Sequence, residues 1–259
     1  MYLGFLDEAD HTKRNQFTIC GLTVVDASAA KALSADIRRV ISQSEGFPAG
    51  SVLKSASASR PAGCTLEQHK IAKNNVFDVL VRDGLKFFGY AYFNSGKENN
   101  SSKNQIFGFN TLLGKFNDFL TKRDDVGVVY VDRIQGKVND YQDIFSYFEE
   151  KFQKGNLYPS DDYRPLDRIL SYGLTNYGSS QISAANDLLT GGLRYIINEE
   201  NHEVRKLLLK KIIPCMAQTT DGRYREEGLT LRPKNMKYLP QSVRAEYQIL
   251  KDFLNASYQ

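Results

Sequence analysis

Long apolar runs, paired cysteines and the common nucleotide-binding signatures are what this chain lacks. No stretch approaches the ~20 consecutive apolar residues that cross a bilayer. The opening Met1-Tyr2-Leu3-Gly4-Phe5-Leu6 has no basic residue ahead of it and meets Asp7-Glu8 at once, too short for a signal-peptide core. Cys20, Cys64 and Cys215 are an odd set without paired spacing, which argues against a disulfide framework and for a reducing compartment. Nor do Cys64 and His69, with His11 and Cys20, form a Cys-x-x-Cys or His-x-x-x-His pair, so they read as core cysteines and surface histidines rather than zinc ligands. Gly-x-x-x-x-Gly-Lys-Ser/Thr, Gly-x-Gly-x-x-Gly and Gly-x-Ser-x-Gly are all missing, which speaks against a nucleotide cofactor and an α/β-hydrolase. Asp7-Glu8-Ala9-Asp10 spells a helicase tetrapeptide, but no phosphate-cradling loop accompanies it. The expectation is a cytoplasmic protein with no membrane partner; nothing in the sequence sets its oligomeric state.

What is present suffices for a folded core. Of 259 residues, 41% are hydrophobic and 25% charged, the balance of a globular chain. The net charge of +4 is unevenly spread. Residues 201–259 carry 11 basic and 6 acidic side chains, against 23 and 24 in residues 1–200. The basic surplus lies in the C-terminal part and permits a polyanionic partner without requiring one.

Periodicity predicts a strand over the first six residues that ends in acids, then a polar turn at Asp10–Asn15 and a strand at Phe17–Val25, joined as an antiparallel hairpin. Asp26 is placed to cap a helix bearing Leu33, Ile37, Val40 and Ile41, which Gly46-Phe47-Pro48 ends. A Ser-, Ala-, Gly- and Pro-rich loop over 46–64 holds Lys54 and Arg60. A helix over 65–82, a strand over 85–93, a polar stretch over 94–104 and an amphipathic helix with Ile106, Phe109, Leu113, Phe116 and Leu120 follow. Val126–Asp132 reads as a strand buried on both faces. Asn139 with Gln142 forms a capping-box pattern for the helix carrying Ile144, Phe145, Phe148 and Phe152. A strand over 166–172 and a helix over 180–198 complete an α/β order. Beyond residue 201 come two helical stretches, 202–213 and 242–255, flanking a short strand at Leu229–Arg232. The simplest division is a domain at 1–200 and a basic, mainly helical extension at 201–259 packed on it.

Three acids share an unusual setting. Asp7 and Asp132 each end an apolar strand, and ligands of open α/β sheets bind beyond the strand carboxyl ends. Asp187 lies in the first half of the last core helix, on a side of small residues (Ser180, Ser183, Ala184, Gly191) that permits close approach. Taken singly, such acids are commonly turn formers, caps or complements to the helix dipole. Taken together, they repel: at ~4 Å and an effective dielectric near 20 each pair costs about 4 kcal/mol, so the cluster calls for protons or a cation. Oxygen-only ligands favour Mg²⁺ or Mn²⁺. Glu8 points away from Asp7 if the strand continues through it and joins the site only if the chain turns there.

Leu-Asp-Glu-Ala at 6–9, Tyr-Val-Asp-Arg at 130–133 and Ser-Gln-Ile-Ser-Ala-Ala-Asn-Asp-Leu-Leu-Thr-Gly-Gly at 180–192 resemble, in order, the three signature blocks of the domain of unknown function 3800 family. Val-Leu-Lys-Ser at 52–55 resembles its lysine-bearing segment. The resemblance covers roughly residues 2–198 and implies a ribonuclease H-like fold, a mixed central sheet flanked by helices, with a metal-dependent nuclease-type site. By motif position it implies catalytic Asp7, Glu8, Asp132 and Asp187, of which the three aspartates hold metal. Lys54 becomes a candidate phosphate contact, as does Arg60 on the same loop. The chain departs from the family at Asp10, where glycine is usual, and at Asn186, where alanine is usual; Asn186 adds either a ligand or a hydrogen bond.

The leading expectation is therefore a phosphodiesterase, a nuclease acting on nucleic acid with Mg²⁺ or Mn²⁺. The alternative is a non-catalytic nucleic-acid-binding or scaffolding protein on the same fold; a phosphatase of small phosphoesters is a weaker third. Arg205, Lys206, Lys210, Lys211, Arg223, Arg225, Arg232, Lys234 and Lys237 offer a path for a nucleic-acid backbone, or equally a solvated face. Tyr224 and Tyr238 among them are candidates for stacking on bases.

Overall fold

A computed structural model describes residues 1–9, 17–82, 84–93, 101–132, 138–157, 163–175, 180–198 and 202–256. His11 and the expected turn around it, most of the polar stretch over 94–104, and the side chains of Asn139 and Gln142 lie outside the described residues.

The chain begins with a hairpin. β1 (Tyr2–Ala9) pairs antiparallel with β2 (Phe17–Asp26), and alternating side chains send Phe5 and Leu6 to opposite faces. Asp26 ends β2 and caps α1 (Ala27–Ser42), its carboxylate accepting the Ser28 amide at 2.8 Å. At the next helix, Thr65 and Gln68 cap each other's amides, and α2 (Leu66–Arg82) follows. β3 (Lys86–Phe93) returns antiparallel to β2. α3 (Ser101–Thr121) leads to β4 (Gly127–Asp132), which pairs parallel to β1. After α4 (Val138–Lys154) come a two-residue ribbon, β5 (Asn156–Leu157) with β6 (Tyr163–Arg164), and then β7 (Ile169–Thr175), parallel to β4. The sequence placed this last strand three residues early, because Leu166 is apolar; Leu166 belongs to a turn whose carbonyl accepts the Ile169 amide. α5 (Gln181–Asn198) starts with the Ser180 hydroxyl accepting the Ile182 amide at 3.2 Å.

With β8 (Leu229–Arg232), the result is an α/β protein with a six-stranded mixed sheet in the order β7-β4-β1-β2-β3-β8, flanked by helices. β2 alone runs against the other five strands. The sixth strand, β8 (Leu229–Arg232), pairs parallel to β3, so the C-terminal segment contributes to the central sheet. α6 (His202–Ile212) and α7 (Gln241–Ala256) extend the same integration: Leu209, Ile212, Tyr247, Leu250 and Phe253 share one core with Phe5, Ile19 and Phe87. The opposite face packs Leu6, Leu22, Phe88 and Val131 against Phe116 of α3 and Phe148 of α4. Among the described residues no helix is long and apolar enough to cross a membrane.

α5 lies close against the sheet. A Cβ at Gly21 would lie 2.0 Å from the Thr190 hydroxyl, and one at Gly89 would lie 2.5 Å from Leu193. Asn186, 1% exposed, closes the contact: its Oδ1 accepts the Thr23 hydroxyl at 2.8 Å and its amide donates to the Gly21 carbonyl at 3.3 Å. Two bare positions on β2 and β3 thus set the helix height. Because α5 covers β1 and β2, the same face of β4 stays less covered, and Val128, Tyr130 and Asp132 are half-buried where the sequence suggested a strand buried on both sides.

Gly21→Ala is expected to lower stability by about 1–3 kcal/mol, the usual range for overpacking, and Thr190→Ala in the same chain to recover part of the loss. Thermal unfolding of the single and double variants checks this; an unchanged Tm for Gly21→Ala contradicts the contact.

Candidate functional site

Strand register brings the first two acids together. Phe5 is opposite Tyr130 in the parallel β1–β4 pair, and their rings stack on the α5 side with centroids 5.5 Å apart. With a period of two along each strand, Asp7 and Asp132 emerge on that same face, side by side, at the carboxyl ends. The third acid arrives from above. Asp7 is the cross-strand partner of Gly21, the residue on which Thr190 and Asn186 of α5 rest, so Asp187 is carried to the neighbourhood of Asp7.

Electrostatics record the convergence. Burial, then the negative charge of Asp187, then that of Asp132, push the Asp7 carboxyl well above its ordinary range, against the opposing help of the Glu8 amide, which donates to Oδ1 at 2.7 Å. All three aspartates are half-buried and keep some solvent access.

Glu8 stands apart. β1 continues through Ala9, so Glu8 points to the α3 side of the sheet, beside its cross-strand partner Cys20. Burial and the charges of Glu8 and Asp7 raise the Cys20 thiol well above its usual value. Membership of Glu8 in the aspartate cluster required a turn that the chain does not make there.

A loop completes the site. The Ser55 amide donates to Asp187 Oδ2 at 2.7 Å, and Gly191, one turn further along α5, leaves room for the Ser55 side chain, since a Cβ there would lie 1.9 Å from its Oγ. From α2, Lys73 donates to the Ser55 carbonyl at 3.3 Å, and the His69 Nε2 lies 3.1 Å from the Lys54 carbonyl. His69 is fully buried and stacks on Phe47, contrary to the surface position expected of it. Lys54 therefore sits on a segment pinned at the edge of the acidic cluster. Arg60 braces its own loop, donating to the carbonyls of Cys64 and Ser57 at 2.9 and 2.8 Å.

Lys73 is the residue that sequence reading passed over. Burial lowers its pKa while Asp187 works in the opposite direction, so the ammonium feels the acidic cluster. Its sequence signal was slight: a lysine beside the stripe of Ala72, Val76 and Leu80 looks like any lysine whose stem covers apolar surface.

The basic C-terminal residues are mostly in use. Arg205 is 9% exposed, donates to the Ile196 carbonyl at 2.8 Å and stacks on Phe253. Lys211 pairs with Asp78, Lys206 with Glu203, Arg223 with Asp221 and Arg232 with Glu226. Tyr224 is fully buried with its hydroxyl on the Leu254 carbonyl, so it is closed to a base, whereas Tyr238 is 70% exposed.

The donor chemistry of Asp7, Asp132 and Asp187, carboxylate oxygens alone, fits a hard divalent cation. Among the described residues no group of three His, Cys, Asp or Glu side chains stands ready-made around a metal position. The cluster is an electrostatic assembly, and a bound ion would draw its carboxylates inward.

Because folding raises the Asp7 pKa, the native state holds that proton more tightly than the unfolded chain does. This contribution is complete below the unfolded carboxylate value of about 3.9 and is lost as pH rises through the folded value. Asp7→Asn is therefore expected to raise Tm at pH 7 without divalent metal, at about 2–4 °C per kcal/mol relieved, and to make little difference near pH 3. Calorimetry at the two pH values checks it; a lower Tm at pH 7 contradicts the repulsion.

Compared with known proteins, the chain matches no family model and no curated protein.

Proposed function

We propose that this protein is a divalent-metal-dependent phosphodiesterase, a nuclease acting on nucleic acid, with Mg²⁺ or Mn²⁺ held by Asp7, Asp132 and Asp187. The observation that carries the reading is the convergence of Asp7 and Asp132 on one face of adjacent parallel strands beneath α5, which brings Asp187, with burial and the other two charges raising the Asp7 carboxyl. Three carboxylates set 125 and 55 residues apart along the chain gain nothing for the fold by meeting. A shared cation gives the arrangement a use. The mixed sheet with β1 at its centre and one antiparallel strand supports the ribonuclease H-like reading of the motifs.

In this reading Asp7 and Asp132 hold the ion from adjacent strand ends, while Asp187 holds it from α5 with one oxygen steadied by the Ser55 amide. A bound divalent ion supplies Lewis acidity for water activation and offsets charge on a leaving oxygen. Lys54, on the segment fastened by His69 and Ser55, meets a phosphate oxygen of the substrate. The less covered face above β4 is the side from which a phosphodiester approaches.

Mg²⁺ or Mn²⁺ at 100 times its Kd is expected to stabilise the protein by about 2.7 kcal/mol. Asp7→Asn and Asp132→Asn are expected to abolish that gain and to reduce cleavage of a mixed-sequence oligonucleotide by at least a hundredfold. Thermal shift and cleavage assays with and without metal test the reading; equal metal stabilisation of wild type and both variants overturns it.

A further inference from the structure

The acidic cluster has a positive member on its rim that no motif of the chain singles out. Lys73 projects from α2 with its ammonium 3.3 Å from the Ser55 carbonyl, and the amide of the same Ser55 is 2.7 Å from Asp187 Oδ2. Ser55 therefore bridges the Lys73 ammonium to one of the three carboxylates through its own amide and carbonyl. The ammonium is half-buried, so its interaction with Asp187 is screened less than a surface pair would be. The neighbouring charges on this side are Lys70 on the same helix and Arg60 on the loop, with the buried imidazole of His69 one turn before Lys73. Among the described residues, Asp187 is the carboxylate that opposes the effect of burial on Lys73.

Counting charge decides what such a site holds. Three ionised aspartates carry −3, which a single divalent ion leaves undercompensated. With the ammonium of Lys73, the cation coupled to Asp187, these four groups together carry −2, which one divalent ion balances. A second ion would meet a neutral site and a lysine that repels it. We propose that Lys73 is a positioning residue that serves as a built-in counter-cation, so that the metal site, in the absence of substrate, takes one divalent ion and not two. This rests on the metal-dependent reading above and deepens it by assigning the stoichiometry. Lys73 acts through Asp187 and the Ser55 peptide, not on the substrate.

Lys73→Gln removes the charge while keeping a polar donor on the side chain, and Lys73→Arg keeps the charge. The probe is Mn²⁺ alone, titrated into the 259-residue protein and followed by calorimetry and by the electron paramagnetic resonance signal of unbound Mn²⁺. The wild type is expected to bind one Mn²⁺. Lys73→Gln is expected to bind it about tenfold more tightly at low ionic strength, with the difference shrinking as salt is added, and to accept a second ion; Lys73→Arg is expected to match the wild type. Two Mn²⁺ of similar affinity in the wild type, or unchanged or weaker binding in Lys73→Gln, would overturn the proposal while leaving the metal site standing. Should the wild type bind no Mn²⁺ that Asp7→Asn abolishes, the metal-dependent reading itself falls, and the role of Lys73 with it.

Discussion

The close approach of α5 to the sheet is the constraint on which the rest depends. It exists because β2 has no side chain at Gly21 and β3 none at Gly89, and because Asn186 exchanges hydrogen bonds with Thr23 and the Gly21 carbonyl in the space that remains. A helix resting on ordinary side chains would stand several ångströms higher. At that height Asp187 would look out over the strand ends, and Asp7 and Asp132 would be two acids finishing two strands. Lowered onto Gly21, the cross-strand partner of Asp7, the helix turns them into a cluster of three.

That cluster is a local cost which the surrounding fold absorbs. Its members come from β1, β4 and α5, elements held by the main core through Phe5, Tyr130 and Leu189. Packed structure therefore fixes the backbone positions from which the three carboxylates project. The same rigidity explains the role of the 52–55 segment, an irregular loop fastened on one side by the Asp187 carboxylate and on the other by Lys73 and His69 of α2. Negative and positive groups are thus presented by different layers at one edge of the sheet.

Much of this was legible in the sequence where the signal was local. The strand at Phe17–Val25, the cap at Asp26 and the spacing of Leu33, Ile37 and Ile41 led directly to β2 and α1. The small-residue side of α5 correctly suggested a close approach, although the contact itself runs through Asn186 and Thr190, the polar residues next to those singled out. What escaped was set by distant partners. The direction of Glu8 depended on whether β1 ended at Asp7 or ran on to Ala9. Arg205 and Tyr224 looked like surface groups in a basic segment, yet α7 packs over them and turns them into core. The strand read at Leu229–Arg232 is present, but its place in the central sheet, parallel to β3, was not legible in so short a run. Lys73 had no signal of its own, since its meaning comes from Ser55 and Asp187, 18 residues before it and 114 after.

The central claim is that three aspartates from three elements form one cation-binding place. Anomalous scattering from crystals soaked in Mn²⁺ tests it most directly. The account predicts a peak bounded by carboxylate oxygens of Asp7, Asp132 and Asp187 at the edge of the sheet above β4. Well-ordered density for all three side chains with no peak between them, at Mn²⁺ concentrations in the millimolar range typical of weak sites, would contradict it.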